Sequence, residues 1–308
     1  MYKAGIIGCG NIATYIDDDC ARKEIWTHSK AYSVHFKTLL TSVCDNDPQK
    51  LSKFRGPNEI SRYDSYAEMV ENENLDIVSI CTPTNTHLPI IQDLADCGIK
   101  AIFCEKPLSE STENSSKIKE ICKTKNIVIG VNFMRRWDPV FKQAKQILES
   151  GQVGKIKTIT AHTGTALFMS ASHLLDMIVF LGGPVKTVYG KLQRDFVRSV
   201  HGQDDFGGHA YFELVNGVDG FVKASATSEN QLPFEIDVIG TTGRLRIFNY
   251  GSTLELSKFE KHQFMSKYQN WRPEIINGKQ EKEERMLNAI DDILHCTENG
   301  GQPASSAD

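Results

Sequence analysis

One short run constrains the fold more than any other: Gly8-Cys9-Gly10-Asn11-Ile12-Ala13, entered directly from the apolar segment 3–8 (KAGIIG). This is the glycine turn that joins a buried strand to a helix and lets a dinucleotide pyrophosphate come close. Gly8 permits the tight turn, Gly10 lets the backbone approach the phosphates, and Ala13 is small enough for helix and strand to pack. Alone, such spacing also suits a purely structural turn, so its context decides. Residues 39–45 (LLTSVCD), 76–81 (DIVSIC), 100–104 (KAIFC) and 127–132 (IVIGVN) are further continuous apolar runs rich in Val and Ile. Runs of that kind suit parallel strands covered on both faces. Helical patterns at Tyr66–Val70, Leu88–Gly98 and Ser111–Thr124 separate them. Strand alternating with helix predicts a doubly wound parallel sheet.

Past about residue 134 the pattern changes. A helix over Pro139–Ser150 ends at Gly151, a strand follows at Lys155–His162, and a helix at His173–Leu181 stops at Gly182-Gly183. From Val185 to Phe259 long strand patterns are punctuated by Asn216-Gly217, Thr242-Gly243 and Tyr250-Gly251, and 281–297 reads as a closing helix. The expected fold class is α/β. Residues 1–126 form an N-terminal Rossmann domain with a doubly wound parallel sheet. Residues 127–308 form a C-terminal α+β domain with a large, mostly antiparallel sheet, which holds substrate and mediates oligomerisation. Few helices are left to cover both faces of that sheet. Tyr211, Leu214 and Phe221 therefore predict self-association, as a homodimer or homotetramer.

Composition excludes several partners. A net charge of −4 over 308 residues lacks the basic excess that phosphate neutralisation needs, so nucleic acid is not expected. No apolar run reaches the ~18 residues that span a bilayer, so no membrane partner is expected. The opening Met-Tyr-Lys-Ala runs straight into a strand pattern without the apolar core and cleavage site of a signal peptide, which predicts a cytoplasmic protein. Eight cysteines without a CxxC pair read as reduced core thiols, and no metal site is expected.

Ligands of doubly wound sheets bind at the carboxyl ends of the strands. Strand two ends in Asp45-Asn46, and Asp45 is placed to accept from the adenosine ribose hydroxyls. It lies 37 residues after Gly8, against the usual ~20. An inserted loop at Thr14–Thr27, with the acidic run Asp17–Asp19, accounts for the excess. A carboxylate at Asp45 repels a 2′-phosphate and favours NAD over NADP, although Lys50 and Lys53 weigh the other way. The alternative for Asp45 is a helix cap or turn residue. Strand three ends in Cys81-Thr82-Pro83-Thr84-Asn85-Thr86-His87, and strand four in Glu105-Lys106-Pro107. The cofactor candidates are thus Gly8, Gly10, Asn11, Ile12, Asp45, Asn46, Thr82, Pro83, Asn85, His87, Glu105 and Lys106. After strand five, Arg135 and Arg136 offer forked donors to substrate hydroxyls or a phosphate; the alternative is a structural pair bridging the domains. Trp137 reads as core.

These segments together resemble the Gfo/Idh/MocA oxidoreductases. The likeness rests on GIIGCGNIA, Asp45, CTPTNTH, EKP, VNFMRRWDP, His173-Leu-Leu-Asp176 and FEIDVIGTTGRLRI, and it spans nearly the whole chain. It implies hydride transfer between nicotinamide and a hydroxyl or keto carbon of a sugar, cyclic polyol or nucleotide sugar. It also implies that Lys106 lies beside nicotinamide and substrate, that His173 is the acid/base and contacts substrate, and that Asp176 is the later carboxylate of the same site. His162 is a weaker acid/base candidate. The family places a carboxylate or amide four residues before the His; here that position is Met169, and the usual Gly is Ala171. Two readings stay open. Either Lys106 and His173 still perform the chemistry, with Asp176 or Ser170 orienting His173, or the chain is a catalytically lapsed dinucleotide-binding sensor. In that family a further helix usually follows a segment such as GGQPASSAD; either the sequence is truncated or the enzyme is short, and a missing helix is expected to weaken domain closure.

Overall fold

A computed structural model describes residues 1–20, 24–200, 203–225, 233–265, 267–276 and 284–307. The chain divides into two compact units, Met1–Trp137 with Lys282–Asp308, and Asp138–Glu281.

The first unit is built on a six-stranded parallel sheet. Its strands are β1 (Tyr2–Ile7), β2 (Thr38–Cys44), β3 (Ser61–Tyr63), β4 (Ile77–Ile80), β5 (Ala101–Cys104) and β6 (Val128–Val131), in the order β3-β2-β1-β4-β5-β6. Five of the six are the apolar runs expected. Edge strand β3 is a short polar segment, Ser61-Arg62-Tyr63, with no hydrophobic signature to announce it. Crossover helices are α1 (His28–Val34), α2 (Pro48–Lys53), α3 (Tyr66–Asn72), α4 (His87–Leu94) and α5 (Thr112–Thr124). Side-chain caps start most of them. Thr27 accepts from Lys30 N, Asp47 from Gln49 N and Lys50 N, and Ser111 from Asn114 N. Each satisfies an amide that the first helical turn leaves open.

The expected insertion reshapes the first crossover. Among the described residues the glycine turn opens a single π turn, Asn11–Tyr15, and a 3-10 turn, Ile16–Asp18, and the first α-helix is the one that starts at His28. Asp17 closes the loop. Its carboxylate accepts from Trp26 N (2.9 Å), Thr27 N (3.0 Å) and Thr27 Oγ1 (2.6 Å).

The division of the chain differs from the expected boundary at 126/127. Strand β6 completes the first sheet, and the C-terminal helix Arg285–Asn299 belongs to the first unit, not to the second. Met286, Ala289, Ile290, Ile293 and Leu294 join the core beneath Ala4, Ile6, Phe103 and Trp137. Burial of each larger side chain contributes about 1.5–3 kcal/mol. A Cβ on Gly130 of β6 would lie 2.5 Å from Ile293 Cδ1, so any larger residue there forces the Ile293 side chain to shift. Asp292 Oδ2 then takes Trp137 Nε1 (2.8 Å) and Ala304 N (2.7 Å), and Val131 N donates to Ser305 O (2.8 Å). Amphipathic periodicity gave a helix here but not the sheet it covers.

The second unit is an eight-stranded sheet with α6 (Pro139–Glu149) and α7 (Ser172–Gly182). Its strands are β7 (Ile156–Thr163), β8 (Val185–Val200), β9 (Gln203–Leu214), β10 (Asp219–Ala224), β11 (Phe234–Gly240), β12 (Gly243–Phe248), β13 (Thr253–Lys261) and β14 (Gln269–Ile275). They lie in the order β14-β13-β12-β11-β7-β10-β9-β8, antiparallel throughout except β7 beside β10. Alternation puts Ile159, Ala161, Phe212, Leu214, Val222, Ile236 and Val238 on one face, packed with Leu174, Met177 and Leu181 of α7. Leu214 is therefore core, contrary to its expected place on the association face. Tyr211 and Phe221 do point the other way, 5.1 Å apart between ring centroids.

Candidate active site

The carboxyl ends of β1, β4 and β5 lie side by side in the first sheet, and three of the motifs meet there. Gly8, at φ +95°, has Cys81 pressed against it: a Cβ would lie 2.8 Å from Cys81 C and 2.9 Å from its carbonyl oxygen. At Gly10 the opposite holds, because a Cβ there meets nothing within 4 Å. One glycine is thus demanded by the chain's own packing, and the other leaves open space above the turn. Ala13 is fully buried against the sheet, which explains the small residue. Asn11 is exposed and Ile12 half-buried beside this space.

Asp45 is held rather than loose. Its Oδ2 accepts from Cys9 N at 2.7 Å and its Oδ1 from Asp47 N at 2.9 Å. A carboxylate oxygen has a second lone pair, so both can still accept from a diol. Asp47, not Asp45, caps α2. Asn46 is exposed.

The turn after β4 is pinned by its own side chains. Thr86 Oγ1 bridges Thr82 Oγ1 and Pro83 O, both at 2.6 Å. His87 is fully buried, and its ring nitrogens meet Leu108 O (3.1 Å) and Thr82 O (3.0 Å). Its imidazole ties this turn to the loop beyond β5, while Pro83 and Asn85 stay exposed at the rim.

Glu105 and Lys106 end β5, followed by a cis peptide at Lys106-Pro107. Three donors hold the Glu105 carboxylate: His28 Nε2 (3.0 Å) and Asn132 Nδ2 (2.6 Å) on Oε1, and Lys106 N (3.3 Å) on Oε2. Burial alone would push this carboxyl up. The bond and the charge of His28, then the bond from Asn132 and the charge of Lys106, outweigh it and hold the group below its usual range. Lys106 is half-buried. Neither His28 nor Asn132 was among the sequence candidates. His28 follows the insertion, which hides its alignment with β5; the one available signal was Thr27 as a helix cap just before it.

Among the cysteines here, burial pushes the Cys9 thiol up to about 12, with Asp45 adding to it, and the Cys81 and Cys104 thiols well above the ordinary value. They are neutral packing groups.

Arg135 is buried in the turn Met134–Trp137, and Arg136 donates to Ala304 O at 2.9 Å, so Arg136 helps fasten the C-terminal tail of its own unit. Trp137 is core, as expected.

In the second unit, His173 and Asp176 lie on α7 at the i, i+3 spacing of one helix face, both half-buried beside the apolar stripe Leu174, Met177, Leu181. The π turn Leu167–Ala171 leads into this helix, and Asp205 Oδ1 fixes it by accepting from Phe168 N at 2.8 Å. Ala171 is fully buried. His162 is exposed on β7, on the sheet face opposite α7, with Nε2 3.2 Å from Ser225 Oγ. Its place separates it from His173.

Comparison with known proteins adds to this geometry. Residues 2–133 match the family described as "Oxidoreductase family, NAD-binding Rossmann fold", and residues 160–246 match the "GFO/IDH/MocA C-terminal domain". The chain is 32% identical over 240 residues to a scyllo-inositol 2-dehydrogenase (NAD(+)) of Bacillus subtilis, covering 69% of each chain. It is 29% identical over 160 residues to an inositol 2-dehydrogenase of Rhizobium meliloti, a match that spans 51% of this chain and only 44% of that enzyme. Among solved structures, a levoglucosan dehydrogenase in complex with NADH and L-sorbose superposes with a TM-score of 0.80 at 19% identity, over 100% of this chain and 92% of that one. The WlbA dehydrogenase of Bordetella pertussis, in complex with NADH and UDP-GlcNAcA, gives 0.77 at 19% identity, over 99% and 91%. At those identities the superpositions speak for the fold.

Proposed function

The chain belongs to the Gfo/Idh/MocA family of NAD-binding oxidoreductases, and from that premise we propose that it oxidises a secondary hydroxyl of a cyclic polyol or sugar, or reduces the corresponding ketone. The observation that carries this is the pair Glu105–Lys106 at the end of β5, its carboxylate fixed by three donors, on the same sheet edge as the open turn at Gly10. The residues fit a dinucleotide: the space over Gly10 suits a pyrophosphate, and the held carboxylate of Asp45 suits the adenosine ribose and disfavours a 2′-phosphate. Asn11, Ile12, Asn46, Thr82, Pro83 and Asn85 would border it, with His87 shaping the turn from beneath.

NAD, when bound, supplies the hydride acceptor for the carbon being oxidised. Lys106 donates from its ammonium to the substrate oxygen and steadies the charge that develops there. His173 takes the hydroxyl proton, so hydride and proton leave together and a carbonyl results. Asp176, on the same helix face, steadies the imidazole, and Arg135 contributes guanidinium donors toward substrate.

The printed activities of the inositol dehydrogenases make cyclic polyols the first substrates to try. The test is calorimetric titration with NAD and NADP, followed by nicotinamide absorbance with inositol stereoisomers, aldoses and nucleotide sugars. Tight NAD binding with turnover supports the reading. Met169, in place of the family's polar residue, favours a second one: micromolar NAD binding with no turnover on any member of the panel marks a dinucleotide sensor.

For assembly, the reading is a second copy paired on the uncovered sheet face. Its support is the exposure of Tyr189 (81%) and Tyr211 (63%), paired across β8 and β9 on the face opposite α7. Light scattering that gives a monomer at micromolar concentration would overturn it.

A further inference from the structure

Beneath Glu105 lies a set of polar side chains with no part in the chemistry so far. His28, Tyr32 and Ser79 are fully buried. They form an unbroken line: Tyr32 OH to Ser79 Oγ at 2.8 Å, Ser79 Oγ to His28 Nδ1 at 2.8 Å, and His28 Nε2 to Glu105 Oε1 at 3.0 Å. Buried polar groups destabilise a fold unless each is satisfied, so the direction of these bonds matters. An ionised Glu105 can only accept, which places a proton on His28 Nε2. Nδ1 meets the Ser79 hydroxyl, whose oxygen also meets Tyr32 OH. Each polar atom of the line thus has a partner within it. The far end, Tyr32, is buried, and burial pushes its phenol up, so the line has no outlet to solvent at that end and carries no protons. It can only fix a charge.

The groups that bear on Glu105 are few. Lys106, the next residue along the chain, and His28, from α1, bear on it by charge. The thiols of Cys81, after β4, and Cys104, in β5, also adjoin it and stay neutral. Asn132, after β6, contributes its amide. An anion beside an amine favours the protonated amine.

We propose that His28 is a positioning residue: backed by Ser79 and Tyr32, it holds Glu105 as a fixed buried anion, and that anion keeps Lys106 a protonated, aimed donor. This rests on the role given to Lys106 above, and it assigns base duty away from Lys106.

The test needs no substrate. The full-length protein is treated at fixed alkaline pH with a limiting lysine-selective acylating reagent, and acylation of Lys106 relative to the other lysines is read by peptide mass spectrometry. Glu105→Gln removes the anion and is expected to speed Lys106 labelling by about tenfold, as a shift of one pKa unit gives. His28→Met is expected to give about three- to tenfold. His28→Gln keeps a donor near the Nε2 position and should label within about twofold of wild type. Should His28→Met not fold, Ser79→Ala removes the support on Nδ1 with little change in volume, and it should move labelling the same way. In turnover, where substrate is found, His28→Met should shift the acid limb of the pH profile upward, because Glu105 with one donor fewer protonates at higher pH. His28→Gln should restore it. Wild-type labelling in both His28→Met and Ser79→Ala overturns the proposal, as does unchanged labelling in Glu105→Gln. If labelling responds as expected while the wild type turns over no polyol or sugar, the proposed reaction fails and this assignment stands.

Discussion

The two glycines of the turn make a prediction that separates folding from binding. In Gly8→Ala the new Cβ falls 2.8 Å from Cys81 C and 2.9 Å from Cys81 O, backbone atoms just after β4 that cannot swing aside. The residue must also keep φ +95°. Holding an L-residue there costs about 1–3 kcal/mol, and the overpacking about 1–3 more, for a loss of about 2–6 kcal/mol. Gly10→Ala meets nothing within 4 Å and sits at φ −81°, which any residue adopts. Its unfolded chain has less freedom to lose, so stability should hold or rise by about 0.4–1 kcal/mol. What Gly10→Ala fills is the space given to the pyrophosphate, so NAD affinity should fall at least about tenfold, or about 1.4 kcal/mol. Urea unfolding of each variant, with NAD calorimetry on those that fold, reads both quantities. The reasoning is refuted if Gly10→Ala binds NAD as tightly as the wild type, or if Gly8→Ala unfolds at the wild-type midpoint.

Further outcomes follow from the same geometry. Asp45→Ala should narrow the preference for NAD over NADP, measured as a ratio of dissociation constants; an unchanged ratio removes Asp45 from the ribose site. Gly130→Val should crowd Ile293 of the C-terminal helix and cost about 1–3 kcal/mol in urea unfolding, an unchanged midpoint showing that Ile293 moves aside freely. Glu105's depressed carboxyl contributes stability that is present above the unfolded value near ~4.3 and is lost as pH falls through the folded value; Glu105→Gln should flatten stability across that acid window. Met169→Asp, which restores the carboxylate the family keeps before the histidine, should raise turnover, and a lower rate would argue that position 169 has no part in orienting His173.

The sequence made the first sheet legible because its strands are covered on both faces and so carry unbroken apolar runs. β3 escaped because Ser61-Arg62-Tyr63 is three residues long and buries none of them fully, so it carries no apolar run. The C-terminal helix was visible from its amphipathic spacing, but spacing does not say which sheet a helix covers; Gly130 and Ile293 settle that only in three dimensions. Leu214 was misplaced because a strand read without its register leaves both faces open. At the site, Gly8, Asp45, Glu105 and Lys106 were legible as motifs. His28 was not, since it reaches Glu105 across 77 residues of chain and bears no motif of its own.

The most direct test of the central claim is kcat/KM for NAD-linked oxidation of a turned-over polyol or sugar by wild type, Lys106→Ala and His173→Ala, with NAD binding measured on the same preparations. The account predicts a fall of at least about 100-fold in each variant, the lower range for loss of a positioned acid or base, with NAD affinity within a few-fold of wild type. Turnover left intact in both variants would contradict it.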